Sequence, residues 1–515
     1  MKNIVKIKRA LISVSDKSFL NKVLSTLSKY KIEIISSGKT YKKIKKSGFK
    51  CVEISNFTGS KEMFGGRVKT LHPKIYGGIL NIRNNKRHKF DLAKNKFKEI
   101  DLIIVNFYPF ENAIKQKNSF RNIIENIDIG GPALVKSAAK NFDDVLVMTS
   151  PKNYINLISE MNKYKGSTSW NFRKKMAIDA FNEIANYEST IANYFNEKFN
   201  IGFPNKKTFT GKLIEKLRYG ENPHQKAAIY SSENNLELKQ LNGKKLSFNN
   251  YSDIYSALSI SKSFEKKNGT VIIKHTNPCG VSIEKNNLKS FNLALSCDPI
   301  SAYGGIVSCN SKITKELAKK LNQYYFEVII GNKFEKGALK ILKKKNNLRL
   351  IDASNFNDKN RYGTFFHAKN FLYQNTDDLI ISRKNLKVVS KKNPSKSEME
   401  NLIFALNICK HIKSNAIVLV KDKTTIGIGS GQPSRLDSCS LAISKAKKFQ
   451  YKNLANSVAA SDGFFPFTDG AESLIRSGVS AIIQPQGSIR DKEIIKLANK
   501  TNTALVFSKT RHFKH

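Results

Sequence analysis

The feature that most limits what this chain can fold into is the alternation of strand and helix signals across about its first 200 residues. Ala10–Val14 is a short apolar run that ends at Ser15-Asp16. Asp16 is placed to cap a helix whose apolar residues Phe19, Leu20, Val23, Leu24 and Leu27 recur at helical spacing. Ile32–Ile35 reads as the next strand, broken by Ser36-Ser37-Gly38 before a helix that runs to Gly48. Leu102–Val105 is a third strand, and Asp144–Met148 follows a helix over Pro132–Lys140. Repeated strand–loop–helix units predict an α/β fold with a parallel sheet covered by helices, and ligands bound at the carboxyl ends of its strands.

Residues 151–199 read as mostly helical, with Trp170–Tyr194 the longest stretch, and Asn200–Gly211 as a linker without periodicity. This divides the chain into a domain over 1–199 (core about 1–150), a linker over 200–211 and a second domain over 212–515. The second domain again mixes helices with strands, at Thr270–Ile273, Ile417–Val420 and Ser480–Ile483, and shows no short-period repeat.

Charge raises a different possibility. Lys and Arg number 89 against 41 Asp and Glu, a formal net charge of +48. The excess is mostly lysine, is spread along the whole chain, and accompanies abundant Asn and Ile, the pattern of an AT-rich coding bias. It comes with no basic tail, no aromatic-interleaved RNA motif and no C2H2 spacing. Nucleic acid is therefore not the expected partner, and attraction of small anionic substrates is a better use of the positive field. The 6 cysteines form no CxxC pair, which fits a reducing compartment. Met1–Ala10 lacks the apolar core of a signal peptide, and no window approaches the ~18 apolar residues of a membrane span. A cytoplasmic protein with no membrane partner is expected.

In the first domain, Gly65-Gly66-Arg67-Val68-Lys69-Thr70-Leu71-His72-Pro73 combines glycines that permit close backbone approach with Arg67, Lys69 and Thr70, all suited to phosphate. It lacks the Walker spacing, and alone it is equally a basic surface turn. Ser36-Ser37-Gly38-Lys39-Thr40 lies between a strand and a helix, where backbone N–H groups form an anion site. Asp128-Ile129-Gly130-Gly131-Pro132 opens another helix, with Pro132 suited to its first position and Lys140 at its far end. Lys140 is equally a charge complementing the helix dipole, and Tyr108 equally a core aromatic.

In the second domain, Arg218-Tyr219-Gly220-Glu221-Asn222-Pro223-His224-Gln225 is rich in polar groups and turn formers. Val271-Ile272-Ile273 is a buried-type strand that ends in Lys274-His275-Thr276-Asn277-Pro278-Cys279-Gly280. Lys274 beside His275 would lower the imidazole pKa by like-charge repulsion and keep it a neutral base. Cys279 sits in half of a zinc-deaminase motif, but the second cysteine and the HxE half are missing, so no catalytic metal is expected. Ile426-Gly427-Ile428-Gly429-Ser430-Gly431 lacks the GxGxxG spacing and reads as a tight turn supporting Gln432, Ser434 and Arg435.

Taken in order, SVSDK (13–17), SSGKT, GGRVKTLHP, NFYPF (106–110) and IDIGGPALVKSAAKN (127–141) resemble the cyclohydrolase domain of the bifunctional AICAR transformylase/IMP cyclohydrolase family. RYGENPHQ, KHTNPCG, SAYGGIV (301–307), SNAIV (414–418), GIGSGQPSR, SDGFFPFTDG (461–470) and the terminal TRHFKH resemble its transformylase domain. The resemblance covers nearly the whole chain. It implies an N-terminal methylglyoxal-synthase-like domain, and a C-terminal α/β transformylase domain of two cytidine-deaminase-like subdomains.

It also implies the last two steps of de novo IMP synthesis: formyl transfer from 10-formyltetrahydrofolate, a co-substrate, to AICAR, then dehydrative closure of formyl-AICAR to IMP. Ser13, Lys17, Ser37, Gly38, Thr40, Arg67, Lys69, Thr70 and Gly130 would hold the ribotide, with Lys69, Tyr108, Asp128 and Lys140 around the closing ring. His275 would take the proton from the attacking amine. Lys274 would protonate the leaving folate nitrogen or polarise the formyl oxygen, and Asn415 would hydrogen-bond the folate or formyl group. Arg218, Tyr219, Asn250, Gly304, Glu327, Arg435, Phe464 and Arg511 would position AICAR, with Asp469 on the folate side. Thr468 stands where the family commonly has arginine, and Glu327 where some members have aspartate. The resemblance implies a homodimer and neither a metal nor a tightly bound cofactor. Two other readings are weighed against it: a chain with one live activity, and a basic nucleic-acid-associated protein.

Overall fold

The computed structural model describes residues 4–116, 118–233, 235–264, 268–357, 362–367 and 369–515, so the first three residues of the N-terminal segment read above lie outside it. The chain divides into two compact units, Met1–Gly211 and Lys212–His515.

Among the described residues, the first unit is built on five parallel strands in the order Val52–Glu53, Glu33–Ser36, Arg9–Val14, Leu102–Asn106, Leu146–Met148. Successive residues face opposite sides. Ala10, Ile12, Ile34 and Ile104 pack against the helices Leu20–Lys29 and Tyr154–Lys163. Leu11, Ile35, Ile103 and Val105 pack against Pro73–Leu80, Gly130–Lys140 and Trp170–Lys198. Burial on both faces is why these strands read as continuous apolar runs. The chain steps from Arg9–Val14 to Glu33–Ser36 on one side and later adds Leu102–Asn106 on the other. The crevice outside the carboxyl ends of Arg9–Val14 and Leu102–Asn106 is therefore the topological switch point, where such sheets bind ligands.

Three local expectations change. Asp16 does not cap the first helix. Its carboxylate accepts the Ser18 N–H at 2.8 Å in a local turn, and the helix starts at Leu20 behind an exposed Phe19 at φ 58. Pro132 is the third residue of Gly130–Lys140, not the first, and still falls among the N–H groups that a helix leaves unbonded. The 200–211 segment is tied down rather than free: Ser189 Oγ donates to Thr208 Oγ1 at 2.9 Å, and Thr210 Oγ1 to Asn186 Oδ1 at 2.5 Å.

The second unit centres on a twelve-stranded sheet among the described residues. From one edge its strands are Lys239–Asn242, Arg349–Asp352, Val328–Gly331, Ile306–Cys309, Asn268–Lys274 and Asn277–Glu284. The sheet continues with Thr424–Gly429, Ile417–Lys421, Ser457–Ser461, Val479–Pro485, Ala504–Ser508 and Leu386–Val388. Read inward from either edge the pattern is the same: an antiparallel edge strand, three parallel strands, then a hairpin. The two hairpins meet at the centre through Ser282 and Thr424. The helices agree, since Phe248–Ser261 and Lys396–Cys409 both open with a serine N-cap in a capping box. The unit is thus an internal duplication, which a search for short periods does not detect.

The GIGSG segment is mostly strand rather than turn. Gly427 and Gly429 close the strand Thr424–Gly429, and the helix Arg435–Leu454 lies directly on them. A Cβ on Gly429 would stand 1.9 Å from the Ser438 carbonyl oxygen, and one on Gly427 2.2 Å from that of Ala442. The turn is left to Gly431, at φ 67. Gly429→Ala is expected to destabilise the second unit by about 1–3 kcal/mol through this overpacking, measurable as a lowered midpoint in thermal unfolding.

Candidate active sites

In the first unit, most of the predicted residues converge on the switch-point crevice. Asn106, at the carboxyl end of its strand, clamps the loop after Arg9–Val14. Its Oδ1 accepts the N–H groups of Ser15 (2.6 Å) and Asp16 (2.9 Å), and its Nδ2 donates to Asp16 O at 2.9 Å. Lys17 turns back on the same loop, donating to Val14 O and Ser15 O at 3.1 Å each. Ser13 is half-buried in the strand itself. Ser37 is the N-cap of the helix Gly38–Lys46 and makes no side-chain cap bond, so the first N–H groups of that helix face the crevice without it. Gly38 lies at φ 54, and a Cβ there would be 3.6 Å from the Lys69 Nζ. A helix N-terminus and an ammonium group thus meet at one point, the arrangement a phosphate needs.

Not every predicted ligand is free to bind. Thr40 is buried, and its hydroxyl donates to Val14 O (3.0 Å) and accepts from Val14 N (3.2 Å), so its side chain ties helix to strand and its backbone N–H is what it can offer an anion. Arg67 pairs with Glu125, and Lys69 with Glu62 at 3.1 Å. These surface pairs are weak and exchangeable for a ligand. The buried Thr70 packs on the Gly130 backbone, where a Cβ would be 2.7 Å from its Oγ1.

Asp128 receives the Gly131 N–H at 2.8 Å, and its own N–H is bonded to the Tyr187 hydroxyl at 2.8 Å. Burial holds its carboxyl above the usual carboxylate range, partly offset by N–H bonds from Gly131 and Tyr108. Tyr108 itself is exposed. Lys140 is not brought to this group. It ends the eleven-residue helix that Asp128 precedes, about 16 Å along the axis, where its charge complements the helix dipole. Sequence reasoning missed Asn106, Tyr187 and Tyr76. Burial, and then the Asp128 charge, pushes the Tyr76 hydroxyl up to about 12.

In the second unit the predicted residues line one edge of the large sheet. This follows from strand direction: the end of Asn268–Lys274, the starts of Ile306–Cys309 and Val328–Gly331, the start of Ile417–Lys421, and the ends of Ser457–Ser461 and Ala504–Ser508 all share that edge. They form two clusters. Lys274 and Ile417 lie three strand spacings apart, about 14 Å.

The first cluster is built on a two-residue hairpin turn. His275 and Thr276 both have positive φ, 52 and 61, the geometry of a tight turn between twisted strands. This fixes the exposed imidazole to the most rigid kind of connection a sheet offers. Lys274 Nζ donates to Tyr303 O at 2.7 Å, beside Gly304. Asn250 Nδ2 donates to Glu327 Oε2 at 2.9 Å, and Arg349 stands 3.6 Å from the same carboxylate. Asp253, which sequence reasoning missed, accepts the Thr276 N–H at 2.7 Å. Arg218 stacks on Tyr219, 4.7 Å from its ring centre, in a loop joined to the Asn250 helix by Asn249 Nδ2 to Glu221 O at 3.2 Å. A cavity of about 280 Å³ borders Lys274, His275, Cys279, Ser301, Ser430 and Lys445. Burial pushes the Cys279 thiol up to about 12, which keeps it a thiol.

The second cluster is tightly bonded within itself. The Asn415 amide donates to Gln432 O and Pro433 O at 2.9 Å each, and its oxygen accepts from Arg435 Nη2 at 2.7 Å. The buried Arg435 also donates to Ser461 Oγ at 2.8 Å and pairs with Asp462, another missed residue. Asn415 and Arg435 thus hold the GSGQPSR loop in place, and two of the five Arg435 N–H donors remain beyond these bonds. Phe464 and Arg511 are exposed. Asp469 lies in the first turn of Thr468–Arg476 and borders a separate cavity of about 380 Å³ with Lys447 and Arg476.

Two family models match this chain. Residues 20–133 match the MGS-like domain, and residues 138–445 match the AICARFT/IMPCHase bienzyme. The chain is 43% identical over 519 residues to "Bifunctional purine biosynthesis protein PurH" of Persephonella marina, covering 99% of this chain and 100% of the relative. It is 41% identical over 524 residues to the protein of that name from Bradyrhizobium diazoefficiens, covering 99% of each. A solved structure titled "Crystal structure of ForH" aligns at 27% identity with 37% of this chain and 99% of its own, with a TM-score of 0.33. With a match across more than half its length and such relatives end to end, the chain belongs to the AICARFT/IMPCHase bienzyme family.

Proposed function

We propose that the two units divide the family's two reactions between them, formyl transfer in Lys212–His515 and ring closure in Met1–Gly211. The chain is a bifunctional enzyme of purine synthesis, an AICAR formyltransferase and IMP cyclohydrolase that completes the last two steps, and it uses a folate-type formyl donor. The observation that carries the assignment of sites is the rigid turn presenting His275 beside Lys274, on the cavity lined by both.

On this reading the 5-amino nitrogen of AICAR attacks the formyl carbon of 10-formyltetrahydrofolate. A C–N bond forms, the bond to the folate nitrogen breaks, the amine loses a proton to His275, and the folate nitrogen gains one. Lys274 spends one N–H on Tyr303 O, and its other two remain for the formyl oxygen or the leaving nitrogen. Glu327, Asn250, Gly304, Arg218 and Tyr219 position AICAR, with Phe464, Asp469 and Arg511 on the same sheet edge. Asn415 and Arg435 act by shaping that edge.

In the first unit the carboxamide nitrogen of formyl-AICAR attacks the formyl carbon and water is lost. Both groups belong to one molecule, so holding them in place does most of the work. Ser13, Lys17, Ser37, Gly38, Arg67, Thr70 and Gly130 form the phosphate-holding crevice, Lys69 stabilises the developing oxyanion, and Tyr108 flanks the ring. Asp128, its carboxyl held above the ordinary range, carries the proton.

The protein is read as a cytoplasmic homodimer without resident metal or nucleic-acid partner. No helix among the described residues is long and apolar enough to cross a membrane. The dimer is supported by the two-stranded arm Tyr362–His367 and Asn370–Asn375, whose Phe366, Phe371 and Leu372 are exposed. The test supplies AICAR with 10-formyltetrahydrofolate, then formyl-AICAR separately, and follows tetrahydrofolate and IMP. Product from both starts is expected. Product from one start alone would leave a single live site, and none from either would sink the site assignment.

A further inference from the structure

The duplication in the second unit supplies an internal control for the turn that carries His275. In the other repeat, the hairpin between Ile417–Lys421 and Thr424–Gly429 has the same two-residue turn, with Asp422 and Lys423 at φ 49 and 54. The N–H of its second turn residue, Lys423, is accepted by Asn401 Oδ1 at 2.8 Å. In the first repeat the N–H of Thr276 is accepted by Asp253 Oδ1 at 2.7 Å. Asp253 and Asn401 stand at the same position, six residues after the serine N-caps Ser247 and Ser395, of equivalent fourteen-residue helices. One job is therefore done twice by one side-chain shape, an oxygen on a short stem that anchors the turn.

An amide suffices where the turn carries Asp422 and Lys423. A carboxylate stands where it carries an imidazole. The anchoring hydrogen bond does not require that negative charge, and burial disfavours it. Burial does raise the Asp253 carboxyl, while the N–H of Thr276, the charge of His275 and the N–H of His275 pull it back, and Glu327 raises it further. The carboxylate is thus within electrostatic reach of the imidazole.

We propose that Asp253 is a positioning residue for formyl transfer, its charge and not only its shape setting the proton affinity of His275. This rests on the reading of His275 as proton acceptor. Other charges also face the turn. Lys274 precedes it, and Lys445 borders the same cavity while paired with Asp298 at 2.8 Å. Glu327 acts on Asp253 and is itself opposed by Arg349 at 3.6 Å. The two lysines bring positive charge to the same cavity. Asp253 opposes them from below the turn, because an opposite charge favours the protonated ring.

The test is Asp253→Asn in the full chain, the residue that the other repeat already uses. The His275 imidazole is titrated by NMR in histidine-labelled protein, its signal identified by its loss in His275→Ala, and the pH profile of formyl transfer is followed alongside. The imidazole titration and the acidic limb of the profile are expected to move down together by about one unit. Thermal unfolding and ring closure should stay as in the parent. An unmoved titration in folded protein overturns the proposal, leaving Asp253 a turn anchor. A failure of Asp253→Asn to fold overturns it as well, because the equivalence with Asn401 would be false. If the titration moves but His275→Ala keeps formyl transfer, the reading of His275 as base fails and the electrostatic link stands.

Discussion

His275→Ala is expected to lower formyl transfer by about 10²–10⁴-fold, the usual contribution of a positioned general base, while formyl-AICAR supplied from outside still closes to IMP at the parental rate. The imidazole is exposed on a turn whose backbone is held by strand pairing and by Asp253, so its truncation removes no buried contact. Under the proposed division, ring closure draws on Lys69, Asp128 and the Gly38 helix terminus, all within Met1–Gly211. The mirror variant, Lys69→Met, should lose ring closure and keep formyl transfer. Separate assays from the two starting substrates read both. If one substitution in a folded protein abolished both activities, the division of chemistry between the units would be wrong.

What the sequence made legible follows a physical line. Four of the five parallel strands of the first unit were readable because burial on both faces forces continuous apolar runs, as at Leu102–Asn106 and Arg9–Val14, whereas the two-residue, half-buried Val52–Glu53 was not. The motif residues at the switch point were readable because loops at strand ends carry few fold constraints and can be occupied by functional side chains. The supporting residues were not. Asn106, Asp253 and Asp462 act through hydrogen bonds and an ion pair to groups distant in sequence, and nothing in local spacing marks such partners.

The same gap hides how much of a motif is used by the protein itself. Asn415, Arg435 and Thr40 lie inside motifs that carry binding residues, yet their polar atoms are used by the protein itself. A motif names the segment; only the fold shows which of its side chains face outward. Lys140 is the converse case, since a helix read correctly from its sequence carries the lysine to the end away from Asp128.

Asp462→Ala is the substitution with the largest expected effect on stability. Asp462 is fully buried, accepts Ser414 Oγ at 2.6 Å, and pairs with an Arg435 whose side chain is 7% exposed. Breaking a buried pair from one side leaves the other charge without compensation, at a cost of about 3–5 kcal/mol. Asp462→Asn keeps the hydrogen-bonding shape and should fall between parent and alanine. The chain offers a way to localise the loss, because its 1 tryptophan, Trp170, lies in the first unit. Tryptophan fluorescence then follows Met1–Gly211, and far-ultraviolet circular dichroism follows both units. The circular dichroism midpoint should drop in Asp462→Ala while the fluorescence midpoint holds. Formyl transfer should fall with the released Asn415–Arg435 loop, and ring closure should persist. Unchanged unfolding by circular dichroism would mean that Arg435 finds another partner or water, and the scaffold role given to the Asn415–Arg435–Asp462 group would have to be abandoned.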